Sequence, residues 1–166
     1  MPQTVFGQSD ALALAVVALI KAKAGTLVLP VTAERRFSRK DDLPDIPTFA
    51  DPVSIDVFPD VEVTERFGMH SFTSQYAVHL YIQQQVSGAL DPEAQCALLC
   101  QLRSQIIEGL KAYGPLPVTN AVVAFPGAGA VLVHAKSADK GLYDLGRLES
   151  EHVFESDTIL LFKAAG

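Results

Sequence analysis

At 166 residues, 49% hydrophobic and 19% charged, the chain has the size and make-up of one packed domain rather than of a disordered tail. Its 13 Lys and Arg against 19 Asp and Glu give a formal charge of -6, which argues against a protein that grips DNA through its whole surface. Cys96 and Cys100, one helical turn apart, are the only cysteines; they exclude a disulfide scaffold and fit a reduced, intracellular site of synthesis.

The first patterned stretch, ALALAVVALI followed by KAKAG, superficially resembles an export signal. Residues 1–10 hold no Lys or Arg and one Asp, however, where such a signal needs positive charge, and the apolar run is too short to span a bilayer. It reads instead as a helix from Ser9 or Asp10 to Ala24, with one of those two residues as N-cap, Lys21 and Lys23 in the last turn, and Gly25 as the stop. Being apolar on nearly every side, this helix should be well buried. A short strand follows, in which Val31, Ala33, Arg35 and Phe37 alternate with Thr32, Glu34 and Arg36, and Pro30 favours a strand start or a sheet edge. Residues 38–52 form a long loop rich in Asp and Pro, a candidate contact surface. In VSIDVFP, Val53, Ile55 and Val57 face one way and Ser54, Asp56 and Phe58 the other; Pro59 is expected to end the strand.

The centre of the chain is 61–85, where VEVTERF and SQYAVHLYIQQQ look like an antiparallel pair joined by GMHSF. Tyr76, Val78, Leu80 and Ile82 make one face apolar, while Ala77, His79, Tyr81 and Gln83 share the other. The cover for the apolar face is the next helix, where Leu99, Leu102, Ile106, Leu110 and Tyr113 recur at helical spacing. Asp91 is its expected N-cap, with Pro92 at the first helical position and Glu93 in the first turn; Gly114 and Pro115 close it. PVTNAVVAF and AVLVHA then flank PGAG as a hairpin at about 115–136, and the connection KSADKGLYDLGRLES leads to a last strand, HVFESDTILLFKA. No internal repeat or low-complexity tract is present.

Catalytic patterns are weak throughout. Gly127 and Gly129 supply part of a dinucleotide fingerprint, but the third glycine is missing and a strand follows where a helix should begin. Cys96 and Cys100 could offer two thiolates to a metal, with His70, His79, His134 and His152 scattered over other elements; small thiols on a buried helix face are the commoner arrangement. Asp56, Asp60, Glu62 and Glu65 lie close enough for a carboxylate pair, yet they occupy polar strand positions or a turn, as a solvated face would. His70 and Ser71 could enter a triad only on paper, since neighbours on a strand point apart and no GxSxG elbow is present. Arg35, Arg36, Arg39, Lys40 and Arg66 form the one basic grouping, either ordinary edge charges or part of a subunit contact.

The succession VTAERRFSRKDDLPDI, VSIDVFP, VEVTERFGMHSFTSQYAVHLYIQQQV, a long helix, and LYDLGRLESEHVFESDTILLFKA resembles the small tail-completion proteins of tailed bacteriophages and prophages, especially the tail terminators. The resemblance follows the order of elements over most of the chain. It implies a single α+β domain over 1–166: a mixed, largely antiparallel sheet covered by two main helices, with the hairpin at about 115–136 as an insertion. It further implies a virion structural protein, made in the host cytoplasm, that forms a ring of identical subunits, usually six, at the head-proximal end of the tail tube. Such a ring ends tube polymerisation, meets the head connector or stopper protein, and lets DNA pass through its lumen without specific binding. A closed ring needs two different complementary surfaces on each subunit, which edge strands and loops can supply. The expected contacts are Arg35, Arg36, Arg39, Lys40, Asp41 and Asp42, then Arg66, His70 and Phe72 around the turn, with residues 118–135 as a docking arm. The resemblance implies no catalytic residue, cofactor, metal or membrane. Two other classes fit the same sequence: a head-completion or stopper protein of the neck, and a small bacterial ligand-binding domain or enzyme using the sheet face as a pocket.

Overall fold

The computed structural model describes residues 7–37, 52–67, 71–86, 92–118, 129–138 and 141–164, with the backbone alone described at 61–67, 71–74 and 92. Helix α1 (Gln8–Ala22) leads through a 3-10 turn (Ala24–Thr26) into strand β1 (Val31–Arg35). Two long strands follow, β2 (Val53–Phe67) and β3 (Ser71–Gln85), then α2 (Pro92–Ala112), β4 (Ala130–Ser137), a short α3 (Leu145–Glu151) and β5 (Val153–Ala164). The strands make one sheet in the order β1-β2-β3-β5-β4. Only the β1–β2 pairing is parallel; the rest are antiparallel, so the domain is α+β with a mixed, largely antiparallel sheet.

The sheet is amphipathic because its side chains alternate. Val53, Ile55 and Val57 of β2, Val78, Leu80 and Ile82 of β3, and Phe154, Leu160 and Phe162 of β5 join one hydrophobic cluster. Leu12, Val16 and Ile20 of α1 and Leu99, Leu102, Ile106 and Leu110 of α2 complete it, so both helices lie on the same face. Among the residues expected to line α2's inner side, Tyr113 differs: it is 48% exposed, because the helix ends at Ala112 and Gly114 turns the chain with φ +80°. Within the sheet core, Arg103 of α2 donates to the Thr158 hydroxyl at 2.8 Å, satisfying a polar atom on the apolar face.

Three expectations are corrected. The N-cap of α1 is Gly7, without a side-chain cap. Ser9 and Asp10 are instead helical and buried: Ser9 Oγ donates to the Ala77 carbonyl at 3.1 Å, and Asp10 accepts from Arg35 at 2.7 Å. Pro59 does not end a strand, and VSIDVFP and VEVTERF are one strand, β2. The register shifts between Pro59 and Glu62, and such an irregularity tolerates a residue that cannot donate to the ladder. The charged connection before β5 contains α3, capped by Asp144 through a 3.0 Å bond from the Arg147 amide and ended by His152 at φ 56°. The first strand of the expected 115–136 hairpin lies mainly outside the described residues, as does the Asp91 cap. Its second strand is β4, and paired bonds between Leu116 and Ala130 join the two flanks.

Candidate functional site

The sheet face turned away from α1 and α2 carries the polar alternates: Ser54, Asp56 and Phe58 of β2, His79, Tyr81 and Gln83 of β3, and Glu155 and Asp157 of β5. The register sets them in rows across three strands. Asp56 pairs with Tyr81 and Tyr81 with Asp157, while Ser54 pairs with Gln83 and Gln83 with Glu155. Asp56 is 1% exposed, which corrects the reading of this acid as part of a solvated face.

Two charged assemblies are built on these rows. In the first, His79 stands between two carboxylates: Nδ1 lies 2.8 Å from Asp157 Oδ1 and Nε2 lies 2.6 Å from Asp60 Oδ2. The hydrogen bond to Asp157 is the main cause that raises the His79 pKa above its ordinary 6.5; partial burial opposes it, and the remaining attraction to Asp157 and Asp60 adds to it. Phe37, Phe58 and Tyr81 wall this group into a recess of about 300 Å³, with Phe58 and Tyr81 edge to face at 5.9 Å. In the second assembly, Arg147 of α3 reaches back over the sheet end to Glu155 and Glu151. Gln83, with its amide oxygen toward the guanidinium, accepts from both terminal nitrogens at 2.8 and 3.1 Å. Burial opposes the Arg147 charge, but its hydrogen bonds to Glu155 and Glu151 outweigh that and raise its pKa.

The His79 group resembles a catalytic dyad only superficially. A general base needs a ring nitrogen free to take a proton, and both nitrogens already face carboxylates. No Ser, Thr or Cys lines the recess among the described residues. Cys96 and Cys100 lie on α2, half-buried and unpaired with each other, and burial pushes both thiols up, away from the reactive thiolate. Among the described residues no group of three His, Cys, Asp or Glu side chains is placed to hold a metal ion, and no helix is long and apolar enough to cross a membrane.

The residues expected to make contacts are distributed unevenly. Arg35 turns toward the helix layer, where its ion pair with Asp10 is 9% and 3% exposed, and its guanidinium lies 4.7 Å from the Phe37 ring centre. Arg36 stays at the sheet edge, 3.5 Å from Glu34. Arg66 and Phe72 are direct partners across β2 and β3, one pair from the end of the ladder. Arg39, Lys40, Asp41, Asp42 and His70 lie outside the described residues. Sequence reasoning missed His79, Asp157, Arg147 and Glu155. The available signal was the polar row His79, Tyr81, Gln83 on an otherwise apolar strand; what it meets depends on the β3–β5 register, which no local pattern specifies.

The β2–β3 ladder also outruns its neighbours. Pairing with β1 stops at Val57, and pairing with β5 stops at Gln75 with Lys163. Beyond that, residues 64–67 and 71–74 continue as four residue pairs with no third strand among the described residues, an arm of roughly 13 Å. At the sheet margins β1 pairs only with β2, and β4 only with β5 and Leu116, among the described residues. β4 exposes Val131 and Val133, the latter at 50%. No protein-family model matches the chain, and no curated protein matches it at a significant level.

Proposed function

We propose that the chain is a structural protein of the phage tail neck, a tail terminator that assembles into a ring and does no catalysis. The observation that carries the proposal is the overhanging β2–β3 arm. A two-stranded ribbon without further support gains little stability alone, and its natural use is to lie against another subunit. Arg66 and Phe72, opposite one another on the arm, then serve as contacts, together with His70, which lies outside the described residues. Two unlike sheet margins support the same reading. The β1 side offers Thr32 and Glu34, and the β4 side offers Val131, Val133 and Lys136, so one subunit has two different surfaces for a heterologous contact that closes. Arg36 follows β1 at the sheet edge and Arg35 holds that margin to α1, while Arg39, Lys40, Asp41 and Asp42, outside the described residues, are further proposed contacts. Residues 118–135 act as the docking arm toward a neighbour.

In the virion the ring sits on the head-proximal end of the tail tube, stops its growth and meets the head connector or stopper protein. The excess of acidic residues suits a lumen through which DNA slides without sticking. The test is a tube-growth assay with purified tail-tube protein. The chain is expected to halt elongation and to appear as a cap on one end of each tube by negative stain. Tubes that lengthen unchecked in its presence would contradict the proposal; a chain that instead binds the head connector alone would be a stopper.

A further inference from the structure

We infer that Asp60, His79 and Asp157 form a proton-operated latch at the root of the β2–β3 arm. The first support is the geometry of the ring. A neutral imidazole carries one N–H, yet both nitrogens lie within hydrogen-bond distance of a carboxylate. Only the imidazolium donates to both; after loss of a proton, one contact sets a nitrogen lone pair against a carboxylate oxygen.

The second support is the place of the group in the fold. The β2–β3 pairing passes from Pro59–Val78 to Glu62–Tyr76, a shift of register that lies just ahead of the arm beginning at Thr64. The side chain of Asp60 is thus tied across the irregularity by His79, while His79 is tied to Asp157 on the other neighbouring strand. One proton joins three strands at the point where the ladder shifts register. Asp60 is the more exposed of the two acids, 35% against 12%, and is the contact that opens first.

The charges around His79 favour this behaviour. On β2 it stands opposite Phe58, with Asp60 to one side and Asp56 to the other, and on β5 opposite Ile159, with Asp157 at the next alternate position and Glu155 beyond. Tyr81 is its neighbour on β3. The cations on the flanking strands stand further off: Arg36 follows β1 beside Glu34, and Lys136 of β4 pairs with Ile159. Protonated His79 places a positive charge within hydrogen-bond distance of both acids. The latch is closed below pH 6.5 and opens as pH rises through the higher folded-state value.

Hydrogen exchange of the full chain between pH 6 and 9, corrected for intrinsic rates, tests this alongside NMR titration of the His79 ring. His79 is expected to titrate above 6.5. Over the same range, arm amides at 64–67 and 71–74 should lose roughly fivefold in protection relative to the β3 amides at 78–82. Asp60→Asn, a change at a partly exposed side chain, should hold the arm at its alkaline level at every pH while the core stays protected. An arm-to-core ratio that stays constant while His79 titrates, or an Asp60→Asn protein that keeps the wild-type pH response, would overturn the latch.

Discussion

Arg35 and Asp10 join β1 to α1 through one ion pair taken almost wholly out of water, their side chains 9% and 3% exposed. Such a pair contributes little beyond an apolar replacement of equal shape, but removing one partner strands the other charge. Arg35→Met is therefore expected to lose about 3 kcal/mol in chemical denaturation, and Asp10→Leu combined with Arg35→Met to recover part of that loss. His79 sets a different dependence. Its folded-state pKa is raised, so its contribution is complete below 6.5 and disappears as pH rises through the folded value. The stability advantage of the wild type over His79→Gln should be roughly 1–2 kcal/mol at pH 6 and shrink steadily toward pH 9. A gap that widens with pH would reverse the assignment of the imidazolium.

Among the elements, α2 adds Leu99, Leu102, Ile106 and Leu110 to the hydrophobic cluster on the covered face of the sheet. Leu102 is 0% exposed within it, and Leu102→Ala should cost about 2–5 kcal/mol by thermal or chemical unfolding. Gly129 governs the entry to β4: at φ +129°, a Cβ placed there would meet the Leu116 carbonyl oxygen at 2.3 Å. Gly129→Ala should break the paired Leu116–Ala130 bonds and expose those two amides to exchange, while the β3–β5 amides keep their protection. These elements also mark what was legible beforehand. The apolar face of Tyr76, Val78, Leu80 and Ile82 and its cover by Leu99, Leu102, Ile106 and Leu110 follow from period alone, and both are found. Pro59 misled, because a proline ends a strand unless the ladder shifts around it, and the shift arises from the whole β2–β3 pairing. Ser9 and Asp10 misled as caps, since their partners Ala77 and Arg35 stand 68 and 25 residues away. The His79 group was hidden for the same reason: its two acids come from positions 60 and 157, and only the folded register brings them to one ring.

At the scale of the whole molecule, a sheet covered on one face, two unlike margins and a projecting arm are the features on which the proposed ring rests. Charge belongs to the same scale. With a formal charge of -6 per chain, subunits repel one another at low ionic strength, so ring assembly should strengthen between low and physiological salt as that repulsion is screened. Within that background, Arg36→Glu should weaken assembly while leaving the melting temperature of the free chain within a few degrees, as a substitution at a partly exposed sheet edge does. Normal assembly of that variant would mean that Arg36 is only a solvated edge charge. The measurement that bears most directly on the account is the solution mass of the purified chain by light scattering, taken across protein concentrations at physiological salt, with imaging of the same sample. A closed ring is expected, with a mass that is a fixed multiple, six in the proposed assembly, of the 17.8 kDa chain. A 17.8 kDa monomer at every concentration, with no ring alone or on tube ends, would contradict it.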